Sequence, residues 1–261
     1  MPRLAANLGY LFTERPLIER FGAAAAVGFK AVELQFPYDH AAATVKSELE
    51  RHRLTMLGIN TAPGQMQSGE FGLAAVPGRE RDFTALFEQA LDYCTAIGGC
   101  QIHCLAGIPP ADRQSEAERT FARNLARSAD LAAERRTTLL VEPINRRDRP
   151  GYFLGSLEQA ADILTKVERP NLRIQFDFYH NQIVGGDLLV RFEKYFHLIG
   201  HVQIAAVPSR HEPDEGEINY PAIFEMLDRI GYRNWVACEY RPRGKTEQGL
   251  GWARPFGIQG N

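Results

Sequence analysis

The sequence has no apolar run near the roughly 18 residues that a membrane-spanning helix needs, so no such span is expected. Cysteine is scarce. Cys94, Cys100, Cys104 and Cys238 make neither a C-x-x-C pair nor a dense scaffold, and they read as buried thiols in a reducing cytoplasm. An excess of one charge is also lacking: 30 Lys and Arg face 32 Asp and Glu, a net charge of −2. General nucleic-acid binders are normally basic, so none is expected here. The opening residues MPRLAANLGYLF show neither the long apolar segment nor the small-residue cleavage site of a signal peptide, which predicts a cytoplasmic protein. A glycine-rich phosphate turn is missing too. The first strand-like run leads into NLGYLFTE, which excludes the usual signature of a doubly wound nucleotide-binding sheet and with it a nucleotide cofactor.

What is present is monotonous alternation. Short apolar runs at Leu4–Asn7, Ala31–Gln35, Thr55–Asn60, Gln101–Leu105, Thr138–Glu142, Leu172–Asp177, Gly200–Ala205 and Trp235–Tyr240 read as buried parallel strands. Amphipathic segments at Glu14–Val27, Ala42–His52, Glu80–Ile97, Ser115–Arg135, Ser156–Val167 and Pro221–Ile230 read as helices between them. Gly28, Gly98 and Gly231 sit where helices should end, and Pro16 and Pro221 where they should begin. Eight strands alternating with helices predict an α/β protein, a single (β/α)8 TIM barrel over 1–261 with a C-terminal tail from about 246. Three connections are long, Thr61–Arg79, Arg146–Gly155 and Ala206–Tyr220, and all follow strands. That places them on the face where barrel enzymes keep their sites.

Four oxygen-bearing side chains end the last four runs: Glu142 in TLLVEP, Asp177 in LRIQFD, Gln203 in GHVQIA and Glu239 in WVACEY. One acid at a strand end is commonly a helix N-cap or an arginine's partner. Four on successive strands would lie about 4.8 Å apart and repel, unless protons or a cation intervene. An all-oxygen donor set, with Gln203 using its carbonyl, favours Mg²⁺ or Mn²⁺ over zinc. His180, in D-F-Y-H, is a candidate hydrogen-bond donor to a substrate oxygen or a satisfied loop histidine. His103 lines the pocket or closes the core. Glu33 and Asn60 occupy the same strand-end layer and are candidates for touching substrate or for standing just behind the groups that do. Arg210, in VPSRHEPDEGEINY, suits a carboxylate clamp, because its fork matches two oxygens.

The stretches AANLGYLFTE, VELQFPYD, NTAPG, GEFGLAAVPGRE, VEPINRRDRPGYFL, IQFDFYH, GHVQIAAVPSRHEPDEGEINYP and CEYRPRGKTEQGLGW run almost end to end. In that order they resemble the hydroxypyruvate isomerases of the xylose-isomerase-like barrel superfamily. The resemblance implies catalytic glutamates at Glu142 and Glu239 and metal ligands at Glu142, Asp177, Gln203 and Glu239. It matches Asp177 and His180 to the D-x-x-H of related ketose 3-epimerases, Asp148 to their substrate-contacting acid, and Arg210, with a one-residue shift, to their arginine. Those epimerases have histidine where Gln203 stands, which argues against sugar epimerisation.

The implied reaction interconverts hydroxypyruvate and tartronate semialdehyde through an enediol, with a small anionic hydroxy-keto acid as the partner molecule. A 2-oxo-tetronate isomerase, or a related keto-acid 3-epimerase, is the alternative on the same barrel. An abasic-site nuclease would want a histidine-rich zinc site and a basic surface, and a non-catalytic sugar-acid binder would not need paired glutamates. A homo-oligomer is compatible with the sequence and not demanded by it.

Overall fold

A computed structural model describes residues 1–260. Its strands are β1 (Arg3–Asn7), β2 (Ala31–Glu33), β3 (Thr55–Met56), β4 (Gly58–Asn60), β5 (Gln101–His103), β6 (Thr138–Val141), β7 (Leu172–Asp177), β8 (Ile199–Ile204) and β9 (Trp235–Cys238). They lie in the order β3-β2-β1-β9-β8-β7-β6-β5-β4, with every pairing parallel. The run expected at Thr55–Asn60 is one stave broken at Leu57. Its N–H donates to Val32 C=O at 2.9 Å, and its C=O accepts from Gln101 N–H at 3.1 Å. The stave therefore joins β2 to β5 and closes the sheet. Nine strands fill eight positions, and the expected (β/α)8 barrel is the fold.

The outer helices follow from apolar spacing and caps. In α5 (Leu157–Val167), Leu157, Ala160, Ala161, Leu164 and Val167 are buried on one stripe. Ser156 Oγ accepts from Gln159 N–H at 3.1 Å and so satisfies one of the free donors at the helix start. Gly28 and Gly98 follow the first and third helices, α1 (Leu17–Ala26) and α3 (Glu80–Ala96), with φ of 107° and 76°. Such left-handed positions favour glycine. Two helices were not expected, α6 (Phe178–Val184) and α7 (Leu188–Tyr195). The stretch expected as a tail is helical over Thr246–Gly249 and Leu250–Phe256, with Leu250 and Ala253 buried. It is fastened by Gln259 N–H to Val27 C=O at 2.7 Å.

The three long connections rise above the strand C-termini and are pinned at their roots. Gly72 bridges to Ala106, and a Cβ on Gly72 would lie 2.4 Å from Leu105 O, so no larger residue fits this approach. Asn124 Nδ2 donates to Ala74 C=O at 2.8 Å. The buried Tyr152 accepts from Ala106 N–H at 2.9 Å. Tyr220 Oη accepts from Ala205 N–H and donates to Ala205 C=O, at 3.0 and 2.7 Å. These anchors turn the loops into fixed walls around one cavity.

Candidate active site

That cavity, of about 390 Å³, is lined by Glu142 and Glu239 together with Asn60, His103, Asp148, His180 and Arg210. Strand register explains the convergence. Asp177 and Gln203 are direct neighbours across β7 and β8. Glu142 and Glu239 each follow the last residue of a strand, β6 and β9, and are carried to the same end of the barrel.

Asp177 does two jobs. Its Oδ1 accepts from Tyr179 N–H at 2.8 Å and caps α6, while Oδ2 is buried with no hydrogen-bond partner. Glu142 Oε1 is likewise buried and unpartnered. Ligand atoms of Glu142, Asp177 and His180 lie within 4.8 Å of one another. His180 is not free to ligate, however. The backbone N–H of Asn145 points at its Nδ1 from 3.3 Å, so Nδ1 holds the lone pair and Nε2 carries the proton. Burial, then Arg210, pushes its pKa well below the usual histidine range, leaving a neutral Nε2–H donor facing the site.

Glu239 is surrounded instead. Its Oε2 accepts from Arg210 Nη2 at 2.6 Å. Its Oε1 accepts from Asn7 Nδ2 and Gln35 Nε2, both at 3.1 Å, and from Gln203 Nε2 at 3.3 Å. Arg210 is buried, with φ of 58°, and its guanidinium lies 4.9 Å from the Tyr10 ring centre and 4.7 Å from that of Tyr179. It also reaches Asp148 at 3.3 Å and Asp177 at 3.8 Å. Asp148 in turn accepts from Tyr179 Oη at 2.9 Å, so it braces this arginine and tyrosine.

The carboxylates are electrostatically loaded. Burial pushes Glu142 well above the usual carboxylate range, and the charges of Glu239 and Asp177 push further. Burial raises Glu239 to about 8 against the opposing pull of Arg210. Asp177 is raised to about 6 for the same first reason, again opposed by Arg210. Anionic oxygens held dry without partners fit a hard divalent cation, which would satisfy them and lower these pKa values. Gln203 Oε1 accepts from Gln175 Nε2 at 2.8 Å and keeps a second lone pair.

Glu33 lies beneath the cavity. Its Oε1 accepts from Asn7 Nδ2 at 2.8 Å and Gln203 Nε2 at 2.7 Å, and its Oε2 meets His201 Nε2 at 2.6 Å. It thus stands behind the two amides that hold Glu239 and is absent from the cavity lining. His103 does reach the cavity. Its ring nitrogens lack hydrogen-bond partners, its Nδ1 is 3.5 Å from Glu142, and burial takes its pKa down to about 3. Asn60 lines the wall and accepts at its C=O from Tyr38 Oη. Sequence reasoning missed Tyr10, Gln35, Phe71, Arg147, Arg149, Tyr179 and Arg241 as lining residues. Their signal was available only as membership of the loops that follow the strands.

A closed parallel barrel with a cavity at the C-terminal ends of its strands, where Glu142 and Glu239 line the wall, has the architecture of a (β/α)8-barrel enzyme. The chain belongs to the xylose isomerase-like TIM barrel family, whose sequence profile matches residues 21–256. It is 49% identical to the 2-oxo-tetronate isomerase of Cupriavidus necator, over 98% of this chain and 99% of that one. It is 40% identical to the hydroxypyruvate isomerase of Escherichia coli K12, over 98% and 100%. Among solved structures, an AP endonuclease family 2 protein from Brucella melitensis superposes with a TM-score of 0.96 at 47% identity, covering 98% and 99% of the two chains. The chain is an isomerase.

Proposed function

We propose that the chain interconverts a small 2-oxo acid and its isomer by moving one proton between C3 and C2, with the four-carbon 2-oxo-tetronate as substrate. The observation that carries this is the cavity itself. Glu142 and Glu239 enter it from β6 and β9, with Asp177 and Gln203 between them in strand order and arginines on its walls.

In this reading one glutamate takes the proton from C3, and the planar enediol that results is reprotonated at C2 by the other. The hydroxyl proton passes from the C3 oxygen to the C2 oxygen, so hydroxyl and carbonyl exchange places, and the two glutamates swap tasks when the reaction runs backwards. His180 Nε2–H supports an oxygen of the enediol as charge develops on it. Arg210, Asn7, Gln35 and Gln203 fix the orientation of Glu239. The fixed walls limit water around the intermediate. Glu142, Asp177, Gln203 and Glu239 are the residues that would hold a divalent ion, Mg²⁺ or Mn²⁺. Bound there, such an ion supplies Lewis-acid stabilisation of adjacent oxygens.

The four-carbon acid is hydroxypyruvate with a hydroxymethyl group in place of one C3 hydrogen. At about 30 Å³ for a water-sized group, a cavity of about 390 Å³ has room for that substituent. The Cupriavidus and Pectobacterium relatives, at 49% and 44% identity, carry the corresponding name. Hydroxypyruvate is the second reading, supported by the name of the E. coli relative and by identical proton chemistry. The nuclease name of the Brucella protein finds no support in the site. Cavity histidines are limited, among the described residues, to His103 and His180, and the chain carries no net positive charge. Measuring kcat/KM on both acids tests the proposal. A preference of at least about tenfold for the four-carbon acid is expected, the usual worth of one extra group in a fitted pocket. Equal or reversed preference moves the assignment to hydroxypyruvate.

A further inference from the structure

Four arginines line the cavity, Arg147, Arg149, Arg210 and Arg241. Arg210 already serves Glu239, Asp177 and Asp148. An incoming carboxylate must pass three acids whose one buried arginine is taken, so it needs another cation. Arg241 has the right position. Glu239 N–H donates to Ile204 C=O at 3.1 Å, which extends the β9 ladder beyond Cys238. In extended chain, residues two apart share a face and stand about 7 Å apart. Glu239 and Arg241 both line the cavity, while Tyr240 between them is fully buried against Trp252 on the opposite side. Arg241 therefore belongs to the same cavity wall as Glu239, at its exposed rim.

Its backbone is held at both ends: N–H donates to Arg210 C=O at 2.8 Å, and C=O accepts from His211 Nδ1 at 2.7 Å. Its guanidinium has no acidic partner among the described residues. The acids of the neighbouring loop, Glu212, Asp214 and Glu215, are taken by Arg243 instead. A solvated surface arginine would be the ordinary reading. A pinned backbone, a place on the cavity wall shared with Glu239 and a fork with no acid paired to it among the described residues make a carboxylate receptor the better one.

We propose that Arg241 binds the substrate's carboxylate, and that this contact makes the site select 2-oxo acids over neutral ketoses of the same length. The proposal rests on the 2-oxo-acid reading for its substrate and on the geometry of Arg241 for its residue. The test compares wild type, Arg241→Gln and Arg241→Lys, each loaded with Mn²⁺, on two molecules. One is 2-oxo-tetronate; the other is erythrulose, the neutral ketotetrose with a hydroxymethyl group where the acid has its carboxylate. Binding of tartronate, an inert dicarboxylate, is measured alongside by calorimetry.

Arg241→Gln should lower kcat/KM on the acid about ten- to a hundredfold, mainly through KM, the scale of a hydrogen bond to a charged group. Its kcat/KM on erythrulose should stay within about threefold, and its tartronate affinity should fall with the acid. Arg241→Lys should recover part of both losses, keeping the charge without the fork. Equal losses on acid and ketose, or unchanged tartronate affinity, overturn the proposal. Should the wild type turn over neither acid, the functional reading fails, and the tartronate affinities alone decide the role of Arg241.

Discussion

At the scale of single residues, the two glutamates differ in surroundings more than in position. Glu239 accepts from four side-chain donors, whereas Glu142 keeps an oxygen with none. Glu142→Gln and Glu239→Gln should each lower kcat by at least about a hundredfold, the usual size of lost acid–base catalysis, with the circular dichroism spectrum unchanged. Near-normal turnover in either purified variant would sink the pairing. The raised carboxylate pKa values also set a pH dependence. A carboxyl that holds its proton more tightly when folded stabilises the fold below its unfolded pKa, near 4.5, and loses that contribution as pH rises through the folded value, about 8 for Glu239. Each tenfold in proton affinity is worth about 1.4 kcal/mol. Metal-free protein should therefore melt at progressively lower temperature between about pH 5 and pH 8, and added Mn²⁺ should raise Tm most at the upper end, where the ligands are ionised. A metal-induced rise in Tm that is the same at both ends would remove the link between these carboxyls and the ion. Glu142, Asp177, Gln203 and Glu239 stood out because each sits at or near the end of an apolar run; the structure brings Glu142 and Glu239 into the cavity lining, Asp177 beside Glu142, and Gln203 into the layer beneath. Glu33 belongs to the same strand-end layer, but strand spacing did not separate substrate contact from a place behind the lining, where His201 and two amides surround it.

At the scale of elements, the strands and the long amphipathic helices were readable from periodicity, while α6 and α7 were not. The sequence FYHNQIV of α6 is rich in aromatic and β-branched residues with modest helix propensity. It becomes helical because Asp177 caps its start and Phe178 stacks on Phe192, with ring centres 5.4 Å apart. The root of the Thr61–Arg79 connection was equally invisible, since it depends on Gly72 lying against Leu105. That contact makes a prediction with an internal control. Gly72 has φ of 96° and a Cβ would meet Leu105 O at 2.4 Å, whereas Gly69 has φ of 83° and nothing within 4 Å. Both alanine variants bear the left-handed strain of about 1–2 kcal/mol. Only Gly72→Ala must also move the wall that carries Phe71. Its kcat/KM should fall at least about tenfold, because small displacements of positioning groups are costly, while Gly69→Ala stays close to wild type. Equal activities would show that the wall does not position substrate.

At the scale of the whole molecule, the barrel interior departs from the apolar layers usual in this architecture. Asn7, Glu33, Gln175, His201 and Gln203 form a polar layer under the site. Its members hydrogen-bond to one another: Glu33 to Asn7, Gln203 and His201, and Gln203 to Gln175. Burial works against the charge of Glu33, but the charge and hydrogen bond of His201 and the amides of Gln203 and Asn7 outweigh it and hold its pKa below the usual range. Removing one partner of such a pair is therefore far worse than removing both. His201→Leu strands a buried anion and should cost about 3–5 kcal/mol in urea unfolding. The double variant Glu33→Gln/His201→Leu carries no buried charge there and should recover most of that loss, a strong non-additivity between touching sites. Its turnover should stay depressed, because a neutral amide in place of the Glu33 carboxylate no longer draws Asn7 and Gln203 into the orientation that holds Glu239. Stability and activity then separate: the charge balance supports the barrel, and the direction of the hydrogen bonds supports the site. A double variant as unstable as His201→Leu alone would mean that the layer acts through packing and not through its charge.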